Sequence, residues 1–131
     1  IDPAFVDHSG LGDVSRISAQ DMVRLLTADG VRDTLRPIMK VIAMRDANKK
    51  VIRDHPAQVR AKTGTLNFVS TLAGYLTTAS GDELAFAIFA ADLDARAAGK
   101  AAGDEQPVGS ITFNTKAKRL QQVLLQRWGA R

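Results

Sequence analysis

Between residues 59 and 91 apolar and polar positions fall into short runs bounded by turn formers. Val59 to Thr65 reads as a short strand, Val69 to Thr78 as a second and Glu83 to Ala91 as a third, with Ala79-Ser80-Gly81-Asp82 as the turn between the last two. So short a turn makes those two strands antiparallel neighbours. In the third strand Leu84, Phe86 and Ile88 point one way and Ala85, Ala87 and Phe89 the other, so both faces are apolar and both need cover.

Helical spacing takes over elsewhere. Ser18-Ala19-Gln20-Asp21 has the form of a helix start: the Ser18 hydroxyl is placed to accept from the Asp21 amide, and the Asp21 charge suits the positive helix end. Met22, Val23, Leu25 and Leu26 follow at helical spacing, and Gly30 is a stop signal. Thr112 to Trp128 predicts a terminal helix with Ala117, Leu120, Val123, Leu124 and Trp128 as its packing stripe and Gly129 as its end. Pro37 breaks any helix through Leu35 and Met39. Val41 to Met44 and Val51-Ile52, around residues 45–50, suit a small hairpin. Residues 1–17 and 92–111 read as loops, the second rich in Ala, Gly and Asp.

Composition narrows the class without naming a function. A chain of 131 residues with 45% hydrophobic and 24% charged side chains has the size of one domain and reads as soluble and globular. No apolar run comes near the roughly 20 residues of a membrane span. Cysteine is absent, which excludes disulfides and thiolate metal sites. Ile1-Asp2-Pro3-Ala4-Phe5 has neither the basic start nor the apolar stretch of a signal peptide, and the chain reads as cut from something longer. The net charge is +4, with cations gathered near the end at Lys116, Lys118, Arg119, Arg127 and Arg131. They suit a solvated helix face, or attraction to an anionic polymer or membrane surface.

The segment with chemical content is Ala61-Lys62-Thr63-Gly64-Thr65-Leu66, at the end of the first strand. A given tripeptide arises by chance in about 3% of chains this long, so its setting decides: two more strands and a terminal helix follow it. Lys-Thr-Gly is one of three motifs of penicillin-binding proteins and related β-lactamases, beside Ser-x-x-Lys and Ser-x-Asn. With Asp7-His8-Ser9-Gly10-Leu11-Gly12, the Ile-Ser helix start, Val69 to Tyr75 and Leu84 to Ile88, it resembles the S13 family of D-alanyl-D-alanine carboxypeptidases, the penicillin-binding protein 4 type. His8 stands where that family has glycine, Gly12 where it has a second serine, and residues 37–58 are longer and more basic than usual.

That resemblance implies an α+β fold, an antiparallel sheet packed against helices, as part of a penicillin-binding or β-lactamase-like transpeptidase domain. It implies acyl transfer through a serine acyl-enzyme on peptidoglycan peptides ending in D-Ala-D-Ala, as carboxypeptidase or endopeptidase. β-lactams would be inhibitors, and the location would be the periplasm or outer cell envelope, with no metal or organic cofactor. Lys62 and Thr63 would bind the terminal carboxylate, with Lys62 also biasing the field at the nucleophile. Gly64 would admit the substrate backbone as an added strand, and Thr65 would supply an oxyanion amide. Asp7 and Ser9 would shape a loop near the cleft, unless they are turn formers only. His8 as a general base is the lesser reading beside an ordinary surface histidine, as are Tyr75 and Trp128 as ligand platforms.

The six serines are Ser9, Ser15, Ser18, Ser70, Ser80 and Ser110, and none has Lys three or Asn two positions later. The nucleophile and the Ser-x-Asn residue are therefore expected N-terminal to Asp7, in a remainder of the same enzyme that partners this piece. Two other readings stand: a β-lactamase-related enzyme, and a non-catalytic basic module binding wall polymer or nucleic acid. The second needs a basic face with aromatics among its cations.

Overall fold

Ser18 opens the first helix as its hydroxyl dictates. In the computed structural model, which describes residues 3–7, 9, 10, 12 and 14–131, Ser18 Oγ accepts from the Asp21 amide at 3.0 Å and α1 runs Ala19–Leu26. Thr27 ends this helix, short of Gly30. Gly30, at φ 75°, begins α2 (Val31–Leu35) instead. Pro37 then sits in a single 3-10 turn, Arg36–Ile38, because the proline nitrogen cannot donate to a continuing helix. His8, Leu11 and Asp13 lie outside the described residues.

Four antiparallel strands form one sheet in chain order: β1 (Lys40–Val41), β2 (Gln58–Leu66), β3 (Val69–Thr77) and β4 (Glu83–Ala91). The three strands expected from the pattern are β2 to β4, displaced by at most one residue at an end. The pattern does not predict β1, because Val41 fits the hairpin instead. Val41 pairs with Arg60, and the hairpin closes further along, through the Arg45–Val51 bridge and the Ile52 amide on the Met44 carbonyl at 2.8 Å.

The two faces of the sheet carry different helices. Val59, Ala61, Leu72, Leu76, Phe86 and Ile88 form the core with Met44 and with Leu125 of α4 (Ser110–Gly129). On the opposite face α1 packs on β4 and β3, and the Tyr75 hydroxyl donates to the Leu26 carbonyl at 2.8 Å. Tyr75 is thus a packing residue, and Trp128, tilted against Phe86 at 6.3 Å, is another. This is an α+β architecture.

Two expectations need correction. Residues 92–111 are not all loop: α3 spans Leu93–Ala101, capped by Asp92 Oδ1 accepting from the Ala95 amide at 3.0 Å. Its alanines favour helix, and Gly99 is present because a Cβ there would collide with Pro107. Within the α4 stripe Ala117 is buried and Leu124 and Trp128 pack against the core, but Leu120 and Val123 are 50% and 55% exposed. The buried residues of α4 are Ser110, Ala117, Gln121, Leu125 and Gly129, small or hydrogen-bonded apart from Leu125. Gln121 Nε2 donates to Ser70 Oγ at 3.2 Å. Gly129 is the last helical residue rather than a stop, and a Cβ on it would lie 2.6 Å from that of Ala57.

Candidate active site

β2 carries Lys62, Thr63, Gly64 and Thr65 on its second half, where only one side of the strand is paired. Along Gln58–Leu66 every residue pairs with β3, but β1 covers only Arg60 and Ala61 on the outer side. Among the described residues no strand lies along the outer side of Thr63 to Leu66. In an antiparallel ladder alternate residues turn both backbone groups to the same neighbour. The Ile42 amide donates to the Val59 carbonyl at 2.9 Å, so Val59 faces outward. By alternation Ala61, Thr63 and Thr65 also face outward, and their amides and carbonyls are the ones an added strand would meet.

Side chains alternate the other way. Val59 and Ala61 are buried under α4, so Arg60, Lys62 and Gly64 lie on the opposite face, with their cross-strand partners Tyr75, Ala73 and Thr71. Lys62 is exposed, and its ammonium bends back to donate to the Thr63 carbonyl, at the open edge itself. Among the described residues no carboxylate forms an ion pair with it. Thr63 and Thr65 are exposed as well. The edge therefore offers a cation, two hydroxyls and outward amides within four consecutive residues.

Gly64 has a packing reason that its motif does not reveal. A Cβ there would collide with the Thr71 hydroxyl, which itself contacts the Gly64 carbonyl at 3.4 Å. The signal was present in the sequence. A two-residue turn pairs Leu66 with Val69 and so sets Gly64 opposite Thr71.

Both ends of the open stretch are anchored. At the far end the two-residue turn Asn67-Phe68 places Phe68 at φ 57°, a left-handed conformation uncommon for a bulky side chain. Packing holds it there: Phe68 is buried and meets Phe113 edge-on at 6.0 Å. Asn114 Nδ2 donates to the Leu66 carbonyl at 2.9 Å, Arg96 to the Asn67 carbonyl at 3.3 Å, and the Asp92 amide to the Phe68 carbonyl at 2.9 Å. At the near end Arg60 Nη1 donates to the Met39 carbonyl at 3.3 Å, just before β1. Asn114, Phe113, Arg96 and Arg60 act only through these non-local contacts, so the motif gives no sign of them.

Asp7 and Ser9 belong to a separate structure. Ala4 and Arg16 exchange two backbone hydrogen bonds, at 2.9 and 2.7 Å, and tie off the segment between them. Inside it Asp7 Oδ1 accepts from the Gly10 amide at 2.9 Å and from Ser9 Oγ at 3.1 Å. The Gly10 amide first, then the Ser9 hydroxyl, holds the Asp7 carboxyl below its ordinary value of 3.8. Gly12 leaves room for the same carboxylate, which a Cβ would strike. The described hydrogen bonds of Asp7 stay inside this loop. These bonds do not join Asp7 to β2.

Two shallow surface depressions, about 540 Å³ between α1 and α2 and about 420 Å³ beside the hairpin, have neither Lys62 nor Thr65 in their linings. Among the described residues no strand covers the Lys62 edge. Phe68, Tyr75 and Phe86 are buried, so these aromatics are not interleaved with surface cations.

No curated protein and no solved structure is significantly similar to this chain. Comparison with protein-family models gives a match over residues 2–106, which takes in the Asp7–Ser9 loop, α1, the whole sheet and α3. The matched stretch contains the Lys-Thr-Gly strand in the setting described above. The chain belongs to the D-Ala-D-Ala carboxypeptidase 3 (S13) family.

Proposed function

We propose that this chain forms the carboxylate-holding and oxyanion-facing wall of a serine-type D-alanyl-D-alanine carboxypeptidase acting on peptidoglycan peptides. The observation that carries the reading is the Lys62 ammonium folded onto the Thr63 carbonyl at an unpaired strand edge, two residues from the outward amide of Thr65. A peptide laid along that edge exchanges backbone hydrogen bonds with Thr63 and Thr65 as an extra strand. Its terminal carboxylate displaces the Thr63 carbonyl as partner of the Lys62 ammonium, aided by the Thr63 hydroxyl. The carbonyl one residue back from the terminus then lies beside the Thr65 amide, which stabilises the oxyanion as a serine oxygen adds. D-Alanine leaves with the proton delivered to its nitrogen, and water hydrolyses the acyl-serine. Lys62 and Thr65 are the catalytic residues, and Thr63 and Gly64 bind substrate. Asp7 and Ser9 keep the neighbouring loop in shape.

No serine of this chain has the Ser-x-x-Lys or Ser-x-Asn pattern. The nucleophile therefore comes from the segment that precedes Asp7 in the family's order, packed against the exposed Lys62 face. The enzyme works outside the cytoplasm, where its substrate is, and β-lactams acylate the same serine. The full-length protein should release D-alanine from a D-Ala-D-Ala peptide and be labelled by a fluorescent penicillin, while the 131-residue chain alone stays unlabelled. Labelling of this chain alone, or none of the full-length protein, refutes the reading.

A further inference from the structure

We propose that the outer face of α4 and the adjoining hairpin form a docking surface for a membrane bearing anionic phosphate headgroups. The proposal uses none of the Lys62 edge and goes beyond the function above.

Charge is divided unevenly along the chain. Residues 40–54 and 110–131 hold ten of the 18 Lys and Arg and two of the 14 Asp and Glu. The remainder carries eight cations against twelve acids, so the net charge of +4 hides two regions of opposite sign. α4 itself contains no acid.

The fold gathers the cations on one surface. α4 buries Ser110, Ala117, Gln121, Leu125 and Gly129. At about 3.6 residues per turn, the arc turned away from them carries Lys116, Arg119, Leu120, Val123 and Arg127, all exposed. Gln122 and Gln126 form a row beside that arc, next to Arg119. This row holds the hairpin: Gln122 Oε1 accepts from the Arg45 amide at 2.8 Å, and Gln126 Nε2 donates to the Arg45 carbonyl at 2.7 Å. Lys49 and Lys50, exposed in the hairpin, thus extend the basic surface sideways. Asp46 lies near them, but its Oδ1 accepts from the Asn48 and Lys50 amides at 2.8 and 2.9 Å and is committed to the turn. Among the described residues no carboxylate forms an ion pair with Lys49, Lys50, Lys116, Arg119 or Arg127.

Shape and chemistry select a lipid surface among polyanions. Leu120 and Val123 stand between the cations, where a bilayer interface accepts apolar side chains and a hydrated polymer does not. The helix is convex and about 30 Å long, which suits a broad surface rather than a single strand. Single-stranded nucleic acid needs aromatics to stack on, and Phe68, Tyr75 and Phe86 are buried. α4 covers the face of the sheet opposite Lys62, so docking leaves the proposed substrate edge uncovered.

The test is sedimentation of the full-length protein with vesicles of phosphatidylcholine alone or mixed with phosphatidylglycerol. Binding to the mixed vesicles should exceed binding to the neutral ones by more than about tenfold, because each basic side chain near an anionic surface adds to the attraction. It should disappear between about 0.1 and 1 M salt, as the screening length drops from about 10 to about 3 Å. Lys116→Glu combined with Arg119→Glu should weaken it by about tenfold or more, and Lys49→Glu combined with Lys50→Glu by somewhat less. The thermal melt of these variants should stay near that of the wild type, since all four side chains are exposed. Leu120→Ser should weaken vesicle binding by about fivefold and leave binding to inorganic polyphosphate unchanged. Equal sedimentation with both kinds of vesicle, or none with either, overturns the proposal. Polyphosphate binding as tight as vesicle binding, with neither sensitive to Leu120→Ser, assigns the surface to an anionic polymer and overturns the lipid reading. Self-association that the charge reversals abolish, without vesicle binding, assigns it to a second copy of the protein and overturns it equally.

Discussion

The two halves of β2 have the same backbone and opposite surroundings. From Gln58 to Ala61 the strand has β3 on one side, with β1 against Arg60 and Ala61 on the other, and Val59 and Ala61 are 1% exposed under α4. From Lys62 to Leu66 it keeps β3 alone, and Lys62, Thr63 and Thr65 are exposed. In the first half side-chain burial and a double ladder produce stability. In the second, the unpaired ladder and the exposed polar side chains form the proposed binding edge. An exposed edge invites unwanted pairing, and a lysine on it is a common deterrent. Here Lys62 fills that role as well as its proposed chemical one.

Substitutions can separate the halves. The largest effect is expected at Lys62. In the full-length enzyme Lys62→Ala should slow acylation by a factor of about 10²–10³, the scale of losing one oriented charge or donor at a reacting centre. The melting temperature should stay near that of the wild type, since the side chain is exposed and its hydrogen bond is to its own neighbour. Stopped-flow acylation and a thermal melt read the two quantities, and a wild-type rate removes Lys62 from the site.

Gly74→Ala attacks the paired half. A Cβ there would strike the Arg60 carbonyl and come within 2.6 Å of the Ala61 Cα, both backbone atoms that cannot rotate aside. A loss of about 1–3 kcal/mol in urea unfolding is expected, with β2 prised from β3. Acylation per folded molecule should fall far less than in Lys62→Ala. An unchanged unfolding midpoint would mean the two strands do not meet as described.

The smallest effect should come from Glu83, which supports the paired half through Arg36 beside Thr77, the partner of Gln58. The Arg32 guanidinium, hydrogen-bonded to Glu83, is the main cause of a carboxyl held below its ordinary value of 4.5, and Arg36 adds to it. A lowered acid value stabilises the fold in full above pH 4.5, and the gain disappears as pH falls through the folded value. Glu83→Gln should thus cost about 0.5–1 kcal/mol at neutral pH, because Arg32 is largely solvent-exposed. The gap should close in acid. A gap that widens there contradicts the pairing.

Local signals made the framework legible, and non-local ones did not. Ser18 fixes its helix start, and period-two patterning with turn formers locates β2, β3 and β4, because each depends on neighbours in sequence. β1 is two residues long and exists only by pairing across about twenty positions of chain, so no pattern announces it. Leu120 and Val123 misled because hydrophobicity is a weak guide where a helix approaches a sheet through serine, glutamine and glycine. At the site, Lys62-Thr63-Gly64-Thr65 was readable as a motif. Its open edge, the Thr71 contact of Gly64 and the Arg60 hold on Met39 arise from the fold.

Phe68 ties distant parts of the molecule to the proposed substrate edge. An aromatic residue in a left-handed backbone state is tolerated only while something else compels it, and α4 supplies that compulsion through Phe113. Glycine at position 68 would relax the backbone yet forfeit the anchor, so two opposing effects act on one residue. The direction in which the last rungs of β2 point is consequently set in part by α4, through Phe113 and Asn114. Changes in α4 can therefore re-aim the end of β2 without altering a single residue of the Lys-Thr-Gly segment.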